Sequence, residues 1–141
     1  MLIRVCMAKI HRATVTEADL NYVGSITIDE ALLEKSGIRP FQMVNITNIS
    51  NGVLWQTYVM AGKKGGGGIC LNGPPARHFQ PGDKIIVIAE ASIEPSELRD
   101  LNPVVIFVDD KNRITKIEKH KADGTTIQAE TKKLRKVSHH G

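Results

Sequence analysis

Gly24-Ser25 is the pair in this chain with the most chemical promise, because of the company it keeps. Lys9, His11, Arg12 and Tyr22 lie upstream, and Thr57-Tyr58 and Asn72-Gly73 lie downstream. A Gly-Ser pair by itself only punctuates a turn. Among these basic, hydroxyl and amide side chains it reads as a bond that the chain cuts in itself. Such a cut would turn Ser25 into a catalytic group that no encoded amino acid supplies.

The elements that must hold these residues read mainly as β. Apolar alternation and short apolar runs predict strands over Leu2–Ile10, Ala13–Thr16, Ser25–Ile28, Met43–Ile49, Val53–Met60, Ile69–Leu71, Lys84–Ile93, Val104–Val108 and Ile114–Ile117. Asn51-Gly52 predicts a type I′ hairpin turn, in which both central residues need positive φ. Pro81-Gly82-Asp83 marks a second turn. Asp29 to Ser36 predicts a helix capped by Asp29, with Leu32 and Leu33 facing inward and Gly37 ending it. A second short helix is expected near Pro95-Ser96-Glu97. Many short strands with small helices between them argue for a compact barrel or sandwich. Gly65 to Gly68 lacks the Lys-Ser/Thr that follows a phosphate cradle, so it reads as a flexible loop between strands.

A length of 141 residues, 41% apolar and 24% charged, fits one soluble globular domain. No apolar run approaches the roughly 18 residues that a membrane span needs. The N-terminus alternates Ile3, Val5 and Met7 around Arg4 and lacks a signal-peptide core. Cys6 and Cys70 have no CxxC spacing, which predicts a reduced, cytoplasmic setting. The net charge of +4 is unevenly spread: residues 111–141 hold nine Lys or Arg against three acidic residues, leaving residues 1–110 at −2. Hydrophobic patterning fades at Glu118, so 119–141 reads as a basic, solvated and flexible tail. With 4% aromatic residues and no stacking platform or basic helix, nucleic acid is not an expected partner. His78, His120, His139 and His140 lack metal-ligand spacing, and no metal is expected.

The residues around Gly24-Ser25 resemble the bacterial aspartate 1-decarboxylase family, the pyruvoyl enzymes that make β-alanine for pantothenate biosynthesis. The resemblance runs from Lys9 to Ile117 and is densest over Lys9 to Asp29. Further anchors are Asn51-Gly52, Thr57-Tyr58, Gly62-Lys63, Ile69-Cys70-Leu71-Asn72-Gly73 and Ala76-Arg77. It implies a six-stranded double-psi β-barrel with short helices over residues 1–118, assembled as a homotetramer. It also implies a carboxy-lyase acting on L-aspartate, made from a proenzyme. Ser25 Oγ attacks the Gly24 carbonyl, the amide becomes an ester, and β-elimination with hydrolysis leaves a β fragment (1–24) and an α fragment (25–141). The α fragment begins with a pyruvoyl group, the covalent cofactor.

The residue types suit that chemistry. Gly24 has no Cβ to block the hydroxyl. Thr57 can donate to the oxyanion that forms on the Gly24 carbonyl, with Tyr22 and Asn72 as polar supports. The pyruvoyl ketone would hold the amino-acid substrate as a Schiff base and act as electron sink for loss of CO2, without a metal. By family correspondence Tyr58 returns the proton. Lys9, His11, Thr57, Gly73, Pro74 and Pro75 are the expected substrate-binding residues. His11 alone would read as a structural histidine; the block around it gives it a role. The residues leave open whether cleavage is spontaneous or assisted by a maturation factor.

Two departures bear on the substrate. Leu54, next to Trp55, stands where the family carries an arginine that clamps a carboxylate, and leucine offers no bidentate charged partner. Pro74 and Pro75 stand where the family has alanines, and proline has no N–H to donate. One expectation is the same chemistry on a less anionic amino acid. The other keeps aspartate and has Lys9, Arg77 or a neighbouring subunit replace the arginine. A reading from another class, a non-catalytic barrel that binds ligands, predicts an uncut chain inert to carbonyl reagents.

Overall fold

The apolar alternation that starts at Ile3 runs into one long strand, β1 (Ile3–Thr14), where the sequence predicts two. A computed structural model describes residues 1–131, with side chains to 126. The expected break after Ile10 is a register shift between His11 and Ala13, with Arg12 at φ 62°. Such a bulge bends a strand without ending it.

The remaining strands are β2 (Glu17–Asp19), β3 (Ser25–Asp29), β4 (Met43–Asn48), β5 (Leu54–Gly62), β6 (Ile69–Asn72), β7 (Lys84–Ile93), β8 (Val104–Val108), β9 (Ile114–His120) and β10 (Thr126–Thr131). They hydrogen-bond in the order β10-β9-β8-β1-β7-β4-β5-β3-β6-β2. The β1/β8, β2/β6 and β3/β5 pairs are parallel and the others antiparallel. The described residues are therefore mainly β, with ten strands where the apolar pattern predicts nine. Strands β8, β9 and β10 add to the outside of β1. Strand β2, only Glu-Ala-Asp, has no apolar alternation to announce it and forms because β6 offers an edge. Ile10, Ile26, Val44, Val59, Leu71 and Val87 are fully buried and form the centre of the core.

Helix α1 (Glu30–Ser36) has the caps its sequence predicts. Asp29 Oδ1 accepts the Ala31 N–H at 2.8 Å, and Gly37, at φ 81°, donates to the Leu33 carbonyl at 2.9 Å. The expected second helix is a 3-10 turn over Pro95–Asp100 with no buried residue. Without an apolar face to bury, nothing extends it into an α-helix. The β4–β5 hairpin is present, but its turn is not type I′: only Gly52 has positive φ. Asn48 Oδ1 takes the Ser50 N–H and Asn51 Oδ1 takes the Val53 N–H, which favours a wider turn closed by Gly52 N–H on the Asn48 carbonyl.

The expected start of a flexible tail at 119 falls inside paired structure. Strand β9 runs to His120 and pairs with β10, around a turn in which Asp123 Oδ1 accepts the Thr125 N–H and Gly124 has φ 90°. The Asp-Gly signal between two alternating runs is what the charge count obscured. Residues 132–141 of that tail lie outside the described residues. Among the described residues, no helix is long and apolar enough to cross a membrane.

The glycine loop expected to be flexible is tied down by a buried carboxylate. Besides capping α1, Asp29 accepts the Gly65 N–H at 2.9 Å and the Gly67 N–H at 2.8 Å. Asn112, at φ 60°, donates to the Gly67 and Thr14 carbonyls and accepts the Thr14 N–H. Asp29→Ala removes the cap and leaves two loop amides unpaired. We expect a loss of about 2–4 kcal/mol, seen as a melting temperature lower by roughly 5–15 °C.

Candidate active site

Strand register brings the self-processing candidates together. Ser25 opens β3 directly opposite Asn72 of β6, and Ile26 lies opposite Val59 of β5. Extending the parallel β3–β5 register back by one residue sets Tyr58 beside Ser25, about 4.8 Å away strand to strand. Tyr58 in turn faces Met43 of β4. Asn72, Ser25, Tyr58 and Met43 thus form one cross-strand row. One further step back sets Thr57 beside Gly24, on the opposite face because strand side chains alternate. Thr57 is buried there, in the same row as Val44.

Ser25 is 1% exposed, and its Oγ accepts an N–H from Asn72 Nδ2 at 2.9 Å. The other Asn72 N–H goes to Thr27 Oγ1 at 3.0 Å, and the Cys70 thiol donates to Asn72 Oδ1 at 3.0 Å. Burial raises the Cys70 thiol above its ordinary range, helped by the charges of Glu17 and Asp19, so it stays a donor. The amide is thereby held with its NH2 end toward Ser25. Sequence reasoning missed Cys70 and Thr27. The signal was present in the i, i+2 spacing of Ser25 with Thr27 and of Cys70 with Asn72 on two strands.

Gly73 closes the site from behind. At φ 78°, a Cβ there would stand 2.8 Å from Gly24 Cα, 3.0 Å from Gly24 N and 3.1 Å from the Tyr22 carbonyl. Real Cβ atoms do not approach backbone that closely, so glycine is required for this contact. The following turn, Pro74–Arg77, has few donors to give. Gly73 N–H is bonded to the Asp19 carbonyl, Pro74 and Pro75 have none, and Ala76 N–H is bonded to the Gly73 carbonyl. Gly73, Pro74 and Pro75 can line a substrate site by contact but not hold a carboxylate through their amides.

The other candidates are not part of this cross-strand row. Tyr22 is exposed on the turn ahead of Gly24, with its N–H on the Asp19 carbonyl. Lys9 and His11 lie on the solvent-facing side of β1, and β7, β4 and β5 separate β1 from β3 in the strand order. The His11 ring packs edge-on against Phe107, with centroids 5.4 Å apart. Burial, then the charges of Lys9 and Arg12, push its pKa below the ordinary histidine value, so it is neutral at pH 7. Leu54, at the start of β5, is 67% exposed, and Trp55 packs near the His78 ring.

A family model described as aspartate decarboxylase matches residues 1–115 of this chain. The chain belongs to the aspartate decarboxylase family. It is 51% identical over 127 residues to an aspartate 1-decarboxylase of Clostridium botulinum, covering 90% of this chain and 100% of that one. It is 53% identical over 123 residues to an aspartate 1-decarboxylase of Lactiplantibacillus plantarum, covering 85% and 95%. A third relative, an aspartate 1-decarboxylase of Carboxydothermus hydrogenoformans, is 52% identical over 126 residues, covering 89% and 99%. The aspartate decarboxylase match takes in β1 through β8, and with them the whole Asn72–Ser25–Tyr58 row, Thr57 and the Gly73 turn.

Proposed function

We propose that this chain is a proenzyme that cuts its own Gly24–Ser25 bond and then converts L-aspartate to β-alanine and CO2. The observation that carries the reading is the buried Ser25 Oγ held by Asn72, with Tyr58 beside it and Thr57 beside Gly24. That its relatives are aspartate 1-decarboxylases favours aspartate over the less anionic substrate that Leu54, Pro74 and Pro75 suggest.

In the cut, the Ser25 Oγ–C bond to the Gly24 carbonyl forms as the Gly24–Ser25 C–N bond breaks. The Ser25 nitrogen gains the hydroxyl proton. Thr57 donates to the oxyanion that forms on the way, and its burial strengthens the interaction. Loss of the Ser25 Hα then expels the Gly24 carboxylate. Water replaces the Ser25 nitrogen, which leaves as ammonia, and residue 25 ends as a ketone. Asn72, fixed by Cys70 and Thr27, orients Oγ for the attack on the Gly24 carbonyl.

The resulting pyruvoyl group supplies the electron sink for loss of CO2. The chain's residues do the rest: Lys9 brings positive charge to a substrate carboxylate, neutral His11 brings a hydrogen bond, and the Tyr58 phenol returns a proton. Because Lys9 and His11 lie three strands from Ser25, they serve the site best across a subunit boundary, which fits a homotetramer. Exposed Val23, Met43 and Leu54 offer apolar surface for such an assembly. We infer further that β1, β7, β4, β5, β3 and β6, contiguous in the strand order, make up the double-psi barrel. The unpaired thiols of Cys6 and Cys70 suit the cytoplasm.

At pH 7 to 8, Lys9→Met is expected to raise the KM for aspartate about 10- to 100-fold, the worth of a charged hydrogen bond. His11→Gln changes it only a few-fold there. As pH falls below the lowered His11 pKa, the ring gains charge and wild-type KM drops, whereas KM of His11→Gln does not. Steady-state assays of the cut enzyme from pH 5 to 8 read this out. The proposal as a whole is tested by incubating the purified protein with L-aspartate: β-alanine and CO2 in equal amounts support it, and an active preparation that spares aspartate but consumes another amino acid sinks it.

A further inference from the structure

Phe41 has a backbone conformation that folding alone does not explain. Among the described residues, three other than glycine have positive φ: Arg12, Phe41 and Asn112. Arg12 sits in a bulge, and Asn112 uses its side chain to join three segments. Phe41, at φ 68°, is a bulky residue in a region that such residues avoid, and its side chain is 71% exposed, so little core burial offsets the strain.

What holds Phe41 there is a set of bonds to three strands. Its N–H donates to the Val59 carbonyl at 2.7 Å, and the Val59 N–H donates to the Gln42 carbonyl at 3.0 Å. Gln42 Oε1 accepts the Arg39 N–H at 3.1 Å, and Gln42 Nε2 donates to the Glu90 carbonyl at 3.3 Å and to Met7 Sδ at 3.0 Å. The turn is thereby fixed to β5, β7 and β1. Strain that is over-determined in this way marks function more often than accident. Its product is an aromatic stack: the Phe41 ring lies at 13° to the Tyr58 ring with centroids 5.9 Å apart.

We propose that Phe41 is a positioning residue that fixes the plane of the Tyr58 ring, so that the phenol O–H points along the row toward residue 25. This rests on the reading that Tyr58 returns the proton: the phenol O–H bond breaks, the proton goes to the carbon that lost CO2, and water reprotonates the phenolate. Parallel offset rings attract beyond their buried area. A phenol free to turn about χ1 and χ2 spends less time in the reactive geometry.

Phe41→Gly, Phe41→Leu and Phe41→Tyr test the role. Glycine relieves the positive φ, so Phe41→Gly should melt at or above the wild-type temperature and cut itself at the wild-type rate. Its kcat for aspartate should nevertheless fall about 3- to 10-fold, the worth of an aromatic pair, with KM within twofold. Leucine should behave like glycine in kcat, and Phe41→Tyr should restore wild-type kcat. The chain has two tyrosines, so a Tyr58→Phe spectrum assigns the Tyr58 ring signals in NMR, and Phe41→Gly should remove their ring-current shift. Wild-type kcat in Phe41→Gly, a loss that Phe41→Tyr fails to restore, or an unchanged Tyr58 ring shift overturns the Phe41 role. A wild-type enzyme that cuts itself but releases no β-alanine overturns the functional reading itself, a result that is distinguishable because it appears before any Phe41 variant is made.

Discussion

Ser25→Ala should leave a chain that runs as one band on a denaturing gel and makes no β-alanine. The hydroxyl has two uses that nothing nearby can supply: it forms the ester with Gly24, and its loss generates the ketone. Asn72 binds Oγ but cannot attack a carbonyl in its place. With neither the cut nor the ketone, the variant should lose the whole catalytic acceleration, at least about a millionfold. It should still fold. The Asn72 N–H that loses Ser25 Oγ is left unpaired while the other keeps Thr27 Oγ1, so the stability cost is about 1–3 kcal/mol. A well-folded Ser25→Ala that still yields two fragments would move the cut away from this bond.

Gly73→Ala should be nearly as damaging, for a reason of shape. Its Cβ would meet Gly24 Cα at 2.8 Å, and the obstacle is backbone, which cannot swing aside as a side chain can. The residue also holds φ 78°, which costs a side chain roughly 1–2 kcal/mol before any clash. Overpacking adds about 1–3 kcal/mol. The strand end that carries Gly24 must shift, and displacing a carbonyl by even 1 Å from its nucleophile can cost about a hundredfold in rate. We therefore expect a cut at least about 100-fold slower and a melting temperature lower by roughly 5–15 °C. Gly37→Ala is the control. It has φ 81° but nothing within 4 Å of the added Cβ, so it should lose stability and cut at the wild-type rate.

How much of this was legible in the sequence depended on distance along the chain. Asp29, α1 and Gly37 were readable because a helix and its caps are local. Most strands were readable from alternation, but β2 and β10 were not: one is three polar-flanked residues, and the other lay within a stretch judged by its charge. Asn51-Gly52 announced a hairpin, but the side chains of Asn48 and Asn51 chose its turn. The resemblance supplied Gly24, Ser25, Thr57, Tyr58 and Asn72 as a group. It could not supply the register that sets Ser25 between Asn72 and Tyr58, because residues 25, 58 and 72 meet only through pairing of distant strands. Cys70, Thr27 and Phe41 went unnoticed for the same reason. Their roles come from what they touch and not from any pattern they form.

Leu54 and the two prolines retain their chemical meaning in the fold. Leu54 is exposed at the start of β5, and the Gly73–Ala76 turn has no amide to offer an anion. If aspartate is the substrate, Lys9 and His11 must supply the polarity that the arginine and the alanine amides would otherwise bring. The steepness of the Lys9→Met effect reports on that division of labour.

The most direct test of the central claim is the intact mass of the purified protein. Two species are predicted. One is residues 1–24 ending in a free carboxylate, and the other is residues 25–141 lighter by one ammonia than a fragment starting with serine. A single mass equal to the uncut chain, unchanged after long incubation, would contradict the account at its root.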